Sequence, residues 1–170
     1  MSGKQFLPDQ IERLYHVARS IHTTLDSAEV LNLIVQEAVQ LVEACSGSVA
    51  LINPTTGFLD IEAAVGLSDE GSSLRLRLDE GITGWVAQNG APLRVADVSA
   101  DERYIAARPD VRSELAVPIF INDEVRAVLN VDSEKEEAFS EMDQALLEEL
   151  AGHATQVISN AWSYEQHRQR

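Results

Sequence analysis

Leu115-Ala116-Val117-Pro118-Ile119-Phe120-Ile121, then Asn122-Asp123-Glu124, then Val125-Arg126-Ala127-Val128-Leu129-Asn130-Val131 form two short apolar runs on either side of a turn cluster. Runs this short and this rich in branched residues read as strands, and so tight a connection closes them antiparallel. The same signal recurs earlier in the chain. Val49 to Ile52 is apolar, Asn53-Pro54-Thr55-Thr56-Gly57 is a turn, and Leu59, Ile61, Ala63 and Val65 alternate with Asp60, Glu62 and Ala64. That is a hairpin whose second strand is half-buried. Leu74, Leu76 and Leu78 alternate with Ser73, Arg75 and Arg77, which predicts a further strand. A short helix from Ile82 to Asn89 is stopped by Gly90, and Pro92 to Val95 reads as a short strand. Ala96 to Asp110 is irregular, with one helical turn expected near Asp101 to Ala107.

Helices flank this strand-rich middle. Leu7, Ile11, Leu14, Ala18, Ile21 and Leu25 alternate spacings of four and three, a heptad seam. Asp26 with Glu29 resembles a capping box for a second helix, whose Val30, Leu31, Ile34, Val35, Ala38, Leu41 and Val42 make a broad apolar face ending at Cys45-Ser46-Gly47-Ser48. Ser140 caps a long final helix, with a second seam through Leu147, Leu150, Ala154, Val157, Ala161 and Tyr164 and with Leu146 and Ile158 beside it. Strands grouped in sequence favour an α+β fold with an antiparallel sheet over alternating βα units.

Composition narrows the function. The 170 residues suit one domain, and 13 Lys and Arg against 28 Asp and Glu give a net charge of −15. So acidic a surface repels phosphate backbones and anionic lipids, which argues against nucleic acid and bare membrane as partners. One cysteine, Cys45, excludes an internal disulfide. No apolar run nears the ~18 residues of a membrane span, and Met1 to Gln10 lacks a signal-peptide pattern, so a cytoplasmic location is expected. His16, His22, His153 and His167 show no metal-ligand spacing, and no Gly-rich phosphate loop occurs.

Four blocks carry a family resemblance. Leu78-Asp79-Glu80-Gly81-Ile82-Thr83-Gly84-Trp85-Val86-Ala87 resembles the segment of GAF domains that leads into the short helix over the ligand pocket. Pro92-Leu93-Arg94-Val95-Ala96-Asp97-Val98 resembles the strand and Asp-containing loop after it. Ser113 to Ile119 and Ala127 to Ser133 resemble the last two strands. The blocks stand in family order, and the resemblance runs from Ser20 to Trp162. It implies a six-stranded antiparallel sheet, helices on one face, and a pocket under loops and short helices on the other. It also implies a sensory module that binds a small molecule, passes the event to an effector domain or protein, and is not an enzyme. A dimerisation scaffold with a vestigial pocket is the alternative, and a GAF-type enzyme is the lesser one. The organisation expected is a connector helix over residues 1–25, the GAF domain over 26–162 and a helical extension over 163–170, with homodimerisation through both terminal helices.

The resemblance brings Trp85, Asp97, Tyr104, Glu114, Asn130 and Asp132 to the pocket border as ligand-binding candidates. For Glu114, Asn130 and Asp132 the competing reading is turn capping and solvent exposure at strand ends. Gly81 and Gly84 serve either a close ligand approach or plain turn and packing needs. Arg94, Arg108 and Arg112 either bind an anion bidentately or pair with nearby carboxylates. The chain is also similar to free methionine-R-sulfoxide reductases, with Glu114, Asn130 and Asp132 at the places of their substrate-holding acids and Asn130 replacing a carboxylate. Their chemistry needs thiolates. The matching positions here are Thr83, Ala107 and Ser73, and Cys45 lies far from these blocks. Cyclic-nucleotide, bilin and haem variants of the fold are disfavoured by the lack of an Asn-Lys pair, of a pocket cysteine and of a pocket histidine. No cofactor is assigned.

Overall fold

The computed structural model describes residues 27–67, 75–105 and 110–168. The seam from Leu7 to Leu25, its junction at Asp26, and positions Ser73, Ala107 and Arg108 lie outside the described residues. The elements run α1 (Ser27–Leu41), β1 (Ser46–Ile52), β2 (Phe58–Val65), β3 (Arg75–Arg77), α2 (Gly81–Asn89), β4 (Leu93–Val95), a 3₁₀ turn (Val98–Ala100), β5 (Ser113–Ile121), β6 (Glu124–Ser133) and α3 (Glu141–Arg168). Six strands form one sheet in the order β3-β2-β1-β6-β5-β4. Every neighbouring pair is antiparallel.

The hairpin read from the sequence is β5–β6. Asn122 and Asp123 have φ of 53° and 66° and make the whole loop, while Glu124 already pairs with Ile121. Two residues with positive φ make a primed turn, whose twist matches the flanking strands. β4 pairs only with Glu114 to Ala116, the first part of β5.

Alternation along the strands divides the core. Val49, Leu115, Val117, Leu129 and Val131 face α1 and α3, in one cluster with Ile34, Val35, Leu147 and Leu150. Ala50, Leu59, Ala116 and Val128 face the other way, in a second cluster with Ile82, Val86 and Ala87 of α2. The two long helices thus cover one face and the short helix covers the other.

Several local readings change. β1 begins at Ser46, three residues before the apolar run, because Ser46-Gly47-Ser48 already pair with Asp132, Val131 and Asn130 of β6. A helical turn lies at Val98–Ala100, ahead of the expected place, and the described residues 101–105 are not helical. Asp97 Oδ1 accepts from Ser99 N at 3.1 Å and Ser99 Oγ at 2.7 Å, which fixes the turn's start. The expected cap of α3 forms reciprocally: Asp143 N donates to Ser140 Oγ at 3.2 Å and Ser140 N donates to Asp143 Oδ2 at 2.8 Å.

The spacing of the α3 seam suits a dimer surface; the side chains of its last two members, Ala161 and Tyr164, lie outside the described ones. Leu147, Leu150, Ala154 and Val157 are instead at most 5% exposed, together with Leu146 and Ile158. They pack in one cluster with residues of the sheet and of α1. A helix wedged between a sheet and a second helix needs a wider apolar face than a two-partner seam supplies, which explains the extra Leu146 and Ile158.

Candidate functional site

The face under α2 is floored by small and polar residues. Ser46, Ser48 and Ala50 of β1 stand opposite Asp132, Asn130 and Val128 of β6, and β6 in turn stands against Glu114, Ala116 and Pro118 of β5. Small side chains here leave room between sheet and helix. The room is a cavity of about 50 Å³, lined by Ser48, Ala50, Glu114, Asn130 and Asp132 below, and by Leu59, Ile61, Leu67, Leu76, Gly81, Ile82, Thr83, Tyr104 and Ile105 around and above. That volume accommodates a few water-sized groups.

Two hydrogen-bond lines cross the floor. Ser48 Oγ donates to Asn130 Oδ1, and Asn130 Nδ2 donates to Glu114 Oε1 at 2.8 Å. Ser46 Oγ donates to Asp132 Oδ1. The serines fix the geometry of the acids: the Ser48 hydroxyl holds the Asn130 oxygen toward β1, so its N–H faces Glu114. Among the described residues Glu114 Oε2 has no hydrogen-bond partner.

Glu114 is 7% exposed and Asp132 is 5% exposed, so exposure at strand ends does not describe them. Burial pushes the Glu114 carboxyl up to about 8; the Asn130 hydrogen bond pulls it down, and the Asp132 and Asp101 carboxylates add to the rise. The described lining residues include no Lys, Arg or His.

The sequence candidates separate. Tyr104, Glu114, Asn130 and Asp132 meet around the cavity, whereas Trp85 and Asp97 are not part of its wall. Asp97 is held in its turn by Ser99, whose hydrogen bonds keep its carboxyl below the usual range. Trp85 packs at the margin of the α2 cluster and carries the Arg103 guanidinium 4.9 Å from its ring centroid. Arg103 is gripped from behind by Asp101, Nε to Oδ1 at 2.8 Å and Nη2 to Oδ2 at 2.6 Å. This stack ties α2 to the loop that supplies Tyr104.

Gly81, with φ of +69°, turns the chain into α2. At Gly84 a Cβ would lie 2.6 Å from the Arg77 carbonyl, so this glycine lets helix and strand touch. Arg112 pairs with Glu136, and Arg94 Nη1 reaches the Phe139 carbonyl at 3.5 Å; neither lines the cavity. Cys45 is exposed beyond α1, with its N–H on the Asp132 carbonyl at 2.8 Å, and is not a wall residue. Thr83 is. His153 lies on α3, across the sheet from the cavity. Among the described residues no group of His, Cys, Asp and Glu could hold a metal.

Sequence reasoning missed Ser46, Ser48, Asp101 and Arg103. Ser46 and Ser48 carried a signal, since they alternate in phase with Ala50; the Arg103–Trp85 stack carried none.

A larger recess of about 360 Å³ opens on the other face, between α3 and the second half of β5, lined by Phe120, Glu148, Gly152 and Thr155 among others. Its one ionisable lining residue is Glu148.

The GAF domain family model matches residues 24–159, and the chain belongs to that family. Such domains are in general small-molecule-binding modules of signalling proteins. Among solved structures, the GAF domain of a phosphoenolpyruvate-protein phosphotransferase from Acinetobacter is similar at a TM-score of 0.84 and 23% identity, covering 95% of this chain and 99% of that one. The free methionine-R-sulfoxide reductase of Neisseria meningitidis, solved with its substrate, is similar at a TM-score of 0.84 and 22% identity, with 96% of each chain covered. These likenesses establish the fold. Protein YtsP of Bacillus subtilis (strain 168) is 31% identical over 78 residues, 46% of this chain and 48% of that protein. The match thus spans about half the length of the curated relatives. No described helix is long and apolar enough to cross a membrane.

Proposed function

We propose that this chain is a cytoplasmic sensory module that binds a small molecule through Glu114, Asn130, Asp132 and Tyr104 and is not an enzyme. One observation carries the reading. Five polar side chains, Ser46, Ser48, Glu114, Asn130 and Asp132, converge on the sheet under α2, beside an apolar cluster. Burying the Glu114 carboxyl, whose one hydrogen bond among the described residues comes from Asn130, opposes folding unless a further partner meets it. A ligand is such a partner. Trp85 and Arg103 support the wall indirectly, and Asp97 serves the turn.

Mass spectrometry of small molecules released from the purified protein tests this. A compound retained by the wild type and lost from Glu114→Ala and Asp132→Ala is expected. No released compound, with both variants more stable than the wild type, would favour a scaffold whose pocket is vestigial; the cavity of about 50 Å³ is the observation on that side.

The non-enzymatic reading rests on Thr83 in the wall and on exposed Cys45 outside it. Sulfoxide reduction needs a thiolate at the substrate. Turnover of free methionine sulfoxide with a thiol reductant, above a Cys45→Ala control, would refute it.

The module would dimerise through residues 7–25 and the last turns of α3. The helix continues ten residues past Ile158, to Arg168. An attached or associated effector would receive the signal there.

A further inference from the structure

The recess beside β5 owes its space to one stripe of α3. Glu148, Ala151, Gly152 and Thr155 recur at helical spacing, so they share one side of the helix. A Cβ at Gly152 would meet nothing within 4 Å, so the helix stays clear of the sheet margin here. Pro92 closes the recess from the α2 side and Pro118 and Phe120 from β5, around a volume of about 360 Å³.

The fold leaves much of this wall without a partner. Phe120 stands at the register slip that follows Ile119 and is 43% exposed. Its ring rests over Gly90, whose missing Cβ would lie 3.7 Å from Cε1 and Cζ. Glu148 is exposed as well. Its Oε1 accepts from Gln144 Nε2 at 3.3 Å, and it makes no ion pair among the described residues. Pro92 and Pro118 present apolar rings and no N–H. The Phe120 carbonyl already accepts from Thr155 Oγ1 at 2.9 Å. A visiting chain thus finds few backbone groups to extend the sheet, and what the recess offers it is side-chain contact: an aromatic face, an apolar channel and a carboxylate with no cation.

We propose that this recess docks an arginine side chain of a partner polypeptide, its guanidinium stacked on Phe120 and paired with Glu148, its aliphatic stem between Pro92 and Pro118. A guanidinium is planar and always charged, so it can lie on a ring and meet a carboxylate at once; a lysine ammonium is a point charge with no plane to stack. Its methylene stem covers apolar surface while the head stays polar. The net charge of −15 draws a basic partner and repels an acidic one. The recess is open, since Glu148, Gly152 and Phe120 all reach solvent. A free small molecule is buried only in part there, whereas a polypeptide adds contacts around the anchor. This surface lies apart from the cavity under α2 and stands whether or not that cavity is filled.

Random linear peptides selected on the whole chain, with counter-selection against Gly152→Leu, test this. The leucine side chain enters open space and closes the recess, and unchanged Leu59 and Ile82 methyl signals in NMR spectra verify that the variant is folded. Enriched peptides are expected to carry arginine and to shift the Ile119, Ala151 and Thr155 methyls. Their affinity is expected to drop about tenfold or more on Glu148→Gln, on Phe120→Ala, or when citrulline replaces the arginine and keeps its shape without the charge. Glu148→Gln alters no volume at an exposed site and decides the matter even where Gly152→Leu does not fold. Peptides that bind Glu148→Gln as tightly as the wild type, lysine enriched as often as arginine, or no enrichment at all would overturn the proposal. So would a wild-type dimer that Gly152→Leu converts to a monomer, because the occupant would then be a second copy of this chain.

Discussion

Between its ordinary value of 4.5 and the folded value of about 8, Glu114 binds more protons in the folded chain than in the unfolded one. Folding stability therefore falls as pH rises through that window, by up to about 1.4 kcal/mol per unit from this group, and levels off above it. Urea unfolding of the wild type from pH 5 to 9, set beside Glu114→Gln, checks this: the variant's profile is expected to lack the decline. The candidate residues were half legible in the sequence. Glu114, Asn130 and Asp132 alternate along strands whose apolar partners mark the opposite face, and the family pattern singled them out. Asp97 shared that pattern, but a short polar side chain two residues before a serine satisfies its own backbone first, and no periodicity reports that choice. The stack of Arg103 on Trp85 joins segments 18 residues apart across an irregular loop, and irregular loops leave no period to read.

At the level of elements, two glycines within helices have opposite consequences. Gly84 of α2 meets the Arg77 carbonyl, and a methyl group there has nowhere to go. Gly84→Ala is expected to destabilise by about 2 kcal/mol or more and to part α2 from β3. Gly152 of α3 has open space around its missing Cβ. Gly152→Ala is expected to stabilise by about 1 kcal/mol, the ordinary helix-propensity difference. Denaturant midpoints of the two variants check both signs. The strands and helices were legible because their periods are clean: two for Leu59 to Val65, and alternating fours and threes for α3. What the period of α3 did not show is which neighbour it serves. A seam facing a second chain and a face lying on one's own sheet have the same spacing, and only the extra Leu146 and Ile158 tell them apart.

For the whole molecule, that burial moves the expected contact between copies away from the core. Leu14→Glu with Ile21→Glu is expected to yield a folded monomer where the wild type sediments as a dimer. A wild-type chain that stays monomeric at high micromolar concentration would contradict the dimer. The sheet has a consequence of its own. β4 stops beside Ala116, so among the described strands Val117 to Ile121 of β5 have a ladder partner on the β6 side alone, and Thr155 of α3 donates to the Phe120 carbonyl at 2.9 Å. An uncovered strand margin is a template on which another chain can add, and aggregates grow by that route. The sequence blunts it. Pro118 has no N–H to offer, and the register slips between Ile119 and Phe120, which breaks the regular row of donors and acceptors. Pro118→Val is expected to fold with the same sheet yet to precipitate sooner on concentration, as light scattering would record. A proline that looks like a flaw in a strand is thus a guard against fibrils.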